Sequence, residues 1–274
     1  MNKILSKALP HVIAVLVFMA ISLAYFYPQI QGKRLYQHDI AQWRGSAKEI
    51  MDFKEKTGKE TLWTNSMFGG MPAYLISANY SGNLMLKVNK AMNFLQRPAS
   101  FIFIAMLGFY ILLLVFGLNP WLSLVGALGY GLSTYFFIII GAGHNSKIQA
   151  IGYVAPMIAG LVMACKGRFW GGMAIFGFFF GLNLASGHPQ ITYYSAFIML
   201  ALLVAFFINA QKTKTLKTIY KAIGFLAIAG ILAVGSNFSN LWFTYDYGKD
   251  SIRGKSELTD NQHNKTSGLD KDYV

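Results

Sequence analysis

The stretch GAGHNSKIQ (141–149) brings hydrogen-bonding and cationic side chains together between two long apolar segments. It contains His144, Asn145 and Lys147, and Lys147 is the only charged residue in positions 98–165. Two glycines allow a tight turn or a close approach of the backbone to a ligand. Phosphate oxygens need several donors and a compensating positive charge, which these side chains supply. We therefore predict a phosphate site here, the alternative being a lysine that only snorkels to lipid headgroups.

The carboxylate best placed for chemistry is Asp39, beside His38 in RLYQHDIAQW. No acidic residue occurs between Glu60 and Asp246, the interval that holds most of the apolar segments. Ion-coupled transporters usually keep ionisable groups within the membrane, so this gap argues against carboxylate-driven transport. Asp39 is a candidate to accept a proton or bind a metal ion. The alternative is a helix N-cap, with Gln42 completing a capping box.

Histidines gather at the same ends of the predicted spans as GHNSK. His38, His144 and His188 all follow or precede apolar segments on that side, and His188 lies in SGHPQITYY (186–194) with Gln190. One interfacial histidine is usually a hydrogen-bonded polar residue, but three on one face favour a shared site. The sequence contains no zinc-type spacing, Walker motif or dinucleotide fingerprint.

The composition is that of a multi-span membrane protein. Of 274 residues, 54% are hydrophobic and 13% charged, and the mean hydropathy is +0.41; soluble domains carry about 25% charged residues. Cationic loops that meet anionic headgroups explain the net charge of +13. Basic residues are not interleaved with stacking aromatics, which argues against nucleic acid as a partner. A single cysteine, Cys165, excludes an intrachain disulfide.

Apolar segments of the length needed to cross a bilayer, roughly 20 residues, predict an all-α, polytopic transmembrane bundle of about seven spans. The segments are 9–27, 99–117, 121–141, 150–165, 170–184, 191–210 and 222–238. Lysine and arginine in the N-terminus and in the links 166–168 and 211–221 place these parts in the cytoplasm by the positive-inside rule. The segments 28–98, 142–149 and 186–190 then face outward.

Two regions follow from this pattern: a transmembrane domain, 1–238, and a polar outer segment, 239–274. The odd number of spans and the charged end predict that the chain is the N-terminal part of a longer protein. Within the outer loop 28–98, one run of apolar residues is spaced by three or four and predicts an amphipathic helix on the membrane surface: Ile40, Trp43, Ala47, Ile50 and Phe53. The acidic residues in 49–60 alternate with lysines, which predicts a solvated helix face without chemistry.

Five motifs together resemble the N-terminal part of the YfhO-type family of bacterial membrane proteins. They are RLYQHDIAQW, WTNSMFGGMPAY, GAGHNSKIQAIGYVAP, SGHPQITYY and YDYGKDSIRGKSEL. The resemblance covers nearly the whole chain, and the ordered pair GHNSKIQ and SGHPQ is its most specific part. This family is similar in architecture to the GT-C membrane glycosyltransferases, which carry an aspartate in the first outer loop and use polyprenyl-phosphate sugars.

The resemblance implies a multi-pass protein of the bacterial inner (cytoplasmic) membrane that transfers a sugar from a polyprenyl-phosphate donor to an envelope glycan or lipid on the outer face. Asp39 would be the general base or the ligand of a divalent metal. The donor phosphate would be held by Lys147, His144, Asn145 and His188, with His38 and Gln190 in support. Two alternatives remain open: a lipid-linked-sugar flippase or transporter, and a non-catalytic membrane partner. Family members are longer, so activity of this chain alone is not implied.

Overall fold

The computed structural model describes residues 3–77 and 82–249, which form helices and one short hairpin. The predicted all-α class is confirmed, and the tail from residue 250 lies outside the described residues. The helices are α1 (Lys3–Tyr25), α2 (Tyr27–Ile30), α3 (His38–Ser46), α4 (Lys48–Thr57), α5 (Leu84–Met92), α6 (Ala99–Phe116), α7 (Pro120–Gly131), α8 (Thr134–Ala142), α9 (Asn145–Cys165), α10 (Phe169–Ala185), α11 (Pro189–Lys212), α12 (Leu216–Ser236) and α13 (Phe238–Lys249). The hairpin pairs β1 (Trp63–Thr64) with β2 (Met71–Pro72), antiparallel, and a 3₁₀ turn follows at Ala73–Leu75.

In the described part of the chain, five helices are long and apolar enough to cross a membrane: α1, α6, α9, α11 and α12. The pair α7 and α8, bent by 41°, makes a sixth if it is one broken span. Helix α10 is apolar but has 17 residues. The described residues thus contain five or six segments able to span a membrane, and the seventh span stays a prediction.

The predicted amphipathic helix of the outer loop is wrong as a single element, because two helices, α3 and α4, meet at Ala47. Ser66 of the hairpin loop donates a hydrogen bond to the carbonyl of Ser46 at 3.1 Å, which occupies the C-terminal end of α3. Ala47 and Ile50 are buried, and the Trp43 Nε1–H donates to the Ile76 carbonyl at 2.9 Å. Part of the apolar pattern therefore packs within the loop itself.

Glu49 is exposed, as predicted for the solvated face, and it also has hydrogen-bond partners outside its own helix. Its carboxylate accepts hydrogen bonds from the Thr64 hydroxyl and from the Asn65 N–H, the latter at 2.8 Å, and so ties α4 to the hairpin. These hydrogen bonds, that of Thr64 first, lower the pKa of Glu49. The i,i+4 pairing predicted for this helix is seen between Lys48 and Asp52, at 2.6 Å.

Helix α9 is the centre of the bundle and packs against α6, α10 and α12. Where it crosses α6, an added Cβ on Gly108 would lie 2.7 Å from Pro156 Cδ and 2.9 Å from the Gly152 carbonyl. Where it crosses α10, a Cβ on Gly160 would lie 2.4 Å from the Phe176 nitrogen. Small residues thus let these backbones touch, as in many membrane bundles.

Contacts between helix ends show which links lie together. At one end, His11 Nδ1 lies 2.8 Å from Tyr110 Oη and Lys166 Nζ donates to the Val115 carbonyl at 2.7 Å, so the start of α1 meets the ends of α6 and α9. Lys221 lies over the Phe169 ring, 5.9 Å from its centroid, which brings the link before α12 to the same end. The cationic links therefore share one end, as the sequence predicts. That this end is cytoplasmic stays a prediction.

Candidate functional site

At the opposite end of the bundle, the turn between α8 and α9 docks on the start of α3. Gly143 ends α8 with a φ of +102°, a left-handed conformation that glycine adopts without strain. A Cβ added there would lie 3.1 Å from the Asp39 Cβ and 3.2 Å from the Gln37 Cβ. The two motifs that the sequence marked separately, QHD and GHN, are therefore in direct contact.

Asp39 and His144 form a pair, with Oδ2 and Nδ1 3.0 Å apart and side chains 41% and 50% exposed. Because Nδ1–H donates to the carboxylate, Nε2 of a neutral His144 carries the free lone pair. The N-cap alternative for Asp39 is wrong: Gln37 is the cap residue and Asp39 the second residue of α3. Gln42 donates to His38 Nε2 at 2.8 Å, so its amide is committed within α3.

A reciprocal amide pair holds this contact in place. Gln37 Nε2 donates to Asn145 Oδ1 at 3.1 Å, and Asn145 Nδ2 donates to Gln37 Oε1 at 3.2 Å. Gln37 Nε2 also donates to the Ile140 carbonyl at 2.6 Å. Asn145, a predicted phosphate ligand, thus joins α9 to the outer loop. No sequence motif indicated a role for Gln37, because its role depends on a partner more than a hundred residues away.

Lys147 and His188 lie in the neighbourhood of His144. Burial lowers the pKa of His188, and electrostatic interactions with the nearby Lys147 and His144 lower it further. His188 Nδ1 is buried and has no hydrogen-bond partner within the described ranges. The ammonium of Lys147 lies 5.4 Å from the centroid of the Tyr135 ring. Three of the predicted phosphate ligands are therefore close enough to influence one another.

The two residues predicted in support have partners in their own helices. Gln190 Nε2 donates to Tyr194 Oη at 2.9 Å, one turn along α11. His38 accepts from Gln42 one turn along α3. These contacts stabilise the helix starts, and they do not link either residue to the Asp39–His144 pair.

A cavity of about 770 Å³ opens beside Gln37 and Asn145. Asp39 and His144 do not line it, but Asp39 directly precedes the lining residue Ile40, and His144 directly precedes the lining residue Asn145. Four carboxamides contribute to the wall: Gln29, Gln37, Gln96 and Asn145. Apolar side chains form another part of it: Tyr25, Phe26, Pro28, Leu35, Ile40 and Pro98.

Four cationic side chains and no carboxylate complete the lining of this cavity: Lys33, Arg34, Arg44 and Arg97. Within residues 3–77 and 82–249, none of the four has a carboxylate within salt-bridge distance. These four cations were not among the predicted site residues. Arg34 and Arg44 flank Asp39 in the motif RLYQHDIAQWR, and this proximity could have indicated them. No comparable motif surrounds Arg97.

A buried polar network lies beneath the site and fixes α5 against α9. Tyr153 Oη donates to Asn89 Oδ1 at 2.6 Å, and Asn89 Nδ2 donates to Gln149 Oε1 at 3.2 Å. Gln149 and Tyr153 follow Asn145 at one and two helical turns on the same face of α9. The network therefore holds the start of α9, and with it Asn145, in a fixed position.

A divalent metal would find few protein ligands at this site. The described residues contain no group of three or more His, Cys, Asp or Glu side chains placed to hold a metal ion. Catalytic zinc sites use three protein ligands, whereas Mg²⁺ is often held by one or two carboxylates together with substrate phosphates. The donor set at Asp39 fits the second kind, and a metal there stays a prediction.

Comparison with protein-family models, curated proteins and solved structures gave no match to the chain. The chemistry of the site is therefore inferred from its own side chains. Of the predicted residues, Asp39, His144 and Asn145 meet at one contact, and Lys147 and His188 lie near His144. The cavity beside this contact adds four cations that the sequence did not indicate.

Proposed function

We propose that this chain is the membrane domain of a GT-C-like glycosyltransferase related to the YfhO-type family. It transfers a sugar from a polyprenyl-phosphate donor to an envelope glycan or lipid at the outer face of the bacterial inner membrane. The observation that best supports this function is the Asp39–His144 pair beside an acid-free, cationic cavity. Both lie at one end of an apolar helical bundle, where the headgroup of a lipid donor would be found.

In the proposed reaction, the oxygen of an acceptor hydroxyl forms a bond to the anomeric carbon of the donor sugar. The bond between that carbon and the phosphate oxygen breaks, and its electron pair stays on the leaving polyprenyl phosphate. The hydroxyl proton passes to the Asp39–His144 pair, whose free acceptors are Asp39 Oδ1 and His144 Nε2. Asp39 also fixes the orientation and tautomer of the imidazole, as carboxylates do in other catalytic pairs.

The leaving group gains negative charge during this step, because a phosphate diester becomes a monoester. Cationic side chains near the phosphate stabilise that charge more strongly in the transition state than in the ground state. Lys147, with His144 and His188 beside it, is one source of positive charge. The cavity beside Asn145 is another.

A flippase or transporter for the same lipid-linked sugar is the second candidate, since a cationic cavity binds a headgroup whether or not chemistry follows. The carboxylate separates the two functions. Sugar transfer depends on Asp39 as part of the base, whereas headgroup binding depends on the cations.

The test is a transfer assay on the purified protein in lipid vesicles. The donor is a polyprenyl-phosphate sugar labelled in the sugar, and a cell-envelope fraction supplies the acceptor. We expect label to enter the acceptor while unglycosylated polyprenyl phosphate accumulates in equal amount. If the intact donor instead moves between leaflets without cleavage, the protein is a flippase and the proposed reaction is refuted.

A further inference from the structure

We infer that the cavity beside Gln37 and Asn145 is the site for the phosphate headgroup of a membrane lipid, held chiefly by Arg34, Arg44 and Arg97. This inference deepens the proposed function and rests on it for the identity of the lipid as a polyprenyl phosphate. It assigns the phosphate to residues other than Lys147 and His188, which the sequence had favoured.

Charge is the first reason. Four cationic side chains line one cavity without a lining carboxylate, and within the described ranges none of them has a salt bridge. Like charges that share a partly enclosed volume repel one another and destabilise the empty site. A bound anion removes that repulsion, so the cavity is suited to a group of high negative charge.

Arg97 is the second reason. Its guanidinium lies 5.5 Å from the centroid of the Phe101 ring, just before α6 begins, and the residue is exposed, although partial desolvation by neighbouring protein atoms lowers its pKa. Arginine stays protonated in proteins and offers paired donors that match phosphate oxygens. Partial loss of hydration strengthens its attraction to an anion. Arg97 is therefore well suited to bind a phosphate in the cavity.

The rest of the lining fits the other parts of such a lipid. Gln29 and Gln96 offer amide donors and acceptors of the kind that bind sugar hydroxyls. Tyr25 and Leu35 are apolar and more than half exposed, and Tyr25 ends the membrane-spanning helix α1. A prenyl chain could leave the cavity along these residues into the bilayer. The volume, about 770 Å³, is within the range of ordinary ligand sites.

The position of the cavity also suits transfer. Gln37 and Asn145 line it, and each adjoins the Asp39–His144 pair in the chain. A phosphate in the cavity would place the attached sugar near the proton acceptor. Four cations favour a dianion over a monoanion, so we expect the polyprenyl phosphate monoester to bind more tightly than a monoanionic phospholipid such as phosphatidylglycerol.

The experiment measures binding of undecaprenyl phosphate to the purified protein, without any acceptor, by native mass spectrometry in detergent. Undecaprenol, phosphatidylglycerol and inorganic phosphate are the comparison ligands. We expect undecaprenyl phosphate to bind and undecaprenol not to. Arg97→Gln should raise the Kd about 10- to 100-fold, because a hydrogen bond to a charged group contributes on the order of 1.5–3 kcal/mol. Lys59→Gln removes an exposed cation from the same outer loop and should leave the Kd unchanged.

Arg44→Gln repeats the test on a different element, helix α3, so that a folding defect of Arg97→Gln leaves the inference testable. An unchanged Kd in both variants would overturn it, and equal affinity for inorganic phosphate would show a site for free anions instead of a lipid. Failure here is distinct from failure of the proposed function. If the wild-type protein binds undecaprenyl phosphate but transfers no sugar, only the proposed reaction is refuted. If both arginine variants keep full transfer activity, only the assignment of the phosphate to this cavity is refuted.

Discussion

Replacing Asp39 by asparagine separates a chemical role from a structural one. The asparagine carbonyl oxygen still accepts the proton of His144 Nδ1, so the contact now at 3.0 Å persists while its negative charge is lost. Both side chains are about half exposed, and such pairs contribute between zero and about 1 kcal/mol to stability. We therefore expect thermal unfolding of Asp39→Asn to be close to that of wild type.

The expected effect on the rate is much larger. General base catalysis contributes about 100- to 10,000-fold, which corresponds to roughly 3–5.5 kcal/mol of transition-state stabilisation. The expected loss of transition-state stabilisation is therefore larger than the expected loss of folding stability, even at its lower limit. Asp39→Asn should thus lose most sugar transfer while it folds normally and still binds undecaprenyl phosphate.

Asp52→Asn is the matched control, since Asp52 lies on the neighbouring helix α4, is 43% exposed and pairs with Lys48 at 2.6 Å. It removes the same charge from a similar ion pair that has no histidine. The assay compares initial rates of sugar transfer and unfolding temperatures of the two variants. If their rates are equal within about threefold, a difference of less than about 0.7 kcal/mol, Asp39 is not part of the base and the reaction must be assigned elsewhere.

Four further predictions follow from the same structure. His144→Gln identifies the proton acceptor: transfer is lost if Nε2 takes the proton, and most of it is kept if the free carboxylate oxygen does. Gly143→Ala should lower both transfer and stability, because its φ is +102° and a Cβ would press on α3, whereas Gly141→Ala, with open space around it, should be harmless. Hydrogen bonds lower the pKa of Glu49 in the folded protein. The carboxylate therefore stabilises the hairpin above the ordinary pKa of 4.5, and this stabilisation is lost as the pH falls through the folded pKa. Hydrogen exchange of the hairpin amides should differ between wild type and Glu49→Gln at neutral pH and become equal in acid. Lys217→Cys should resist a membrane-impermeant thiol reagent in intact cells, and labelling there would reverse the predicted orientation.

The helices and the ends that they share were predictable from the sequence. Hydropathy places the apolar segments, and the lysines of the links mark one end, so QHD and GHN were expected on the same face at the other end; their direct contact is visible only in the structure. The break between α3 and α4 was not predictable, because it depends on the hydroxyl of Ser66 reaching the Ser46 carbonyl. The failure of the N-cap interpretation has a similar origin, since the carboxylate of Asp39 is used by His144 and not by the backbone.

The cationic cavity lay beyond sequence reasoning for a different reason. Arg34 and Arg97 occur close to apolar segments, where a lone cation ordinarily meets lipid headgroups, and Arg44 lies in the polar outer loop. Their significance lies in sharing one enclosed space without a carboxylate, which is a property of the folded chain. The role of Gln37 is likewise visible only with Asn145 opposite it.

The crossing of α6 and α9 at Gly108 has a consequence for the width of that cavity. Arg97 immediately precedes α6 and Asn145 begins α9, and both residues line the cavity. Two sides of the cavity are therefore formed at the N-terminal ends of two helices that touch each other farther along. Gly108 lies about 14 Å along α6 from its start, at the 1.5 Å rise of an α-helix. Any side chain at this position would collide with Pro156 and Gly152 and push α6 and α9 apart. We therefore expect a larger residue at position 108 to change the width of the cavity, although Gly108 does not line it.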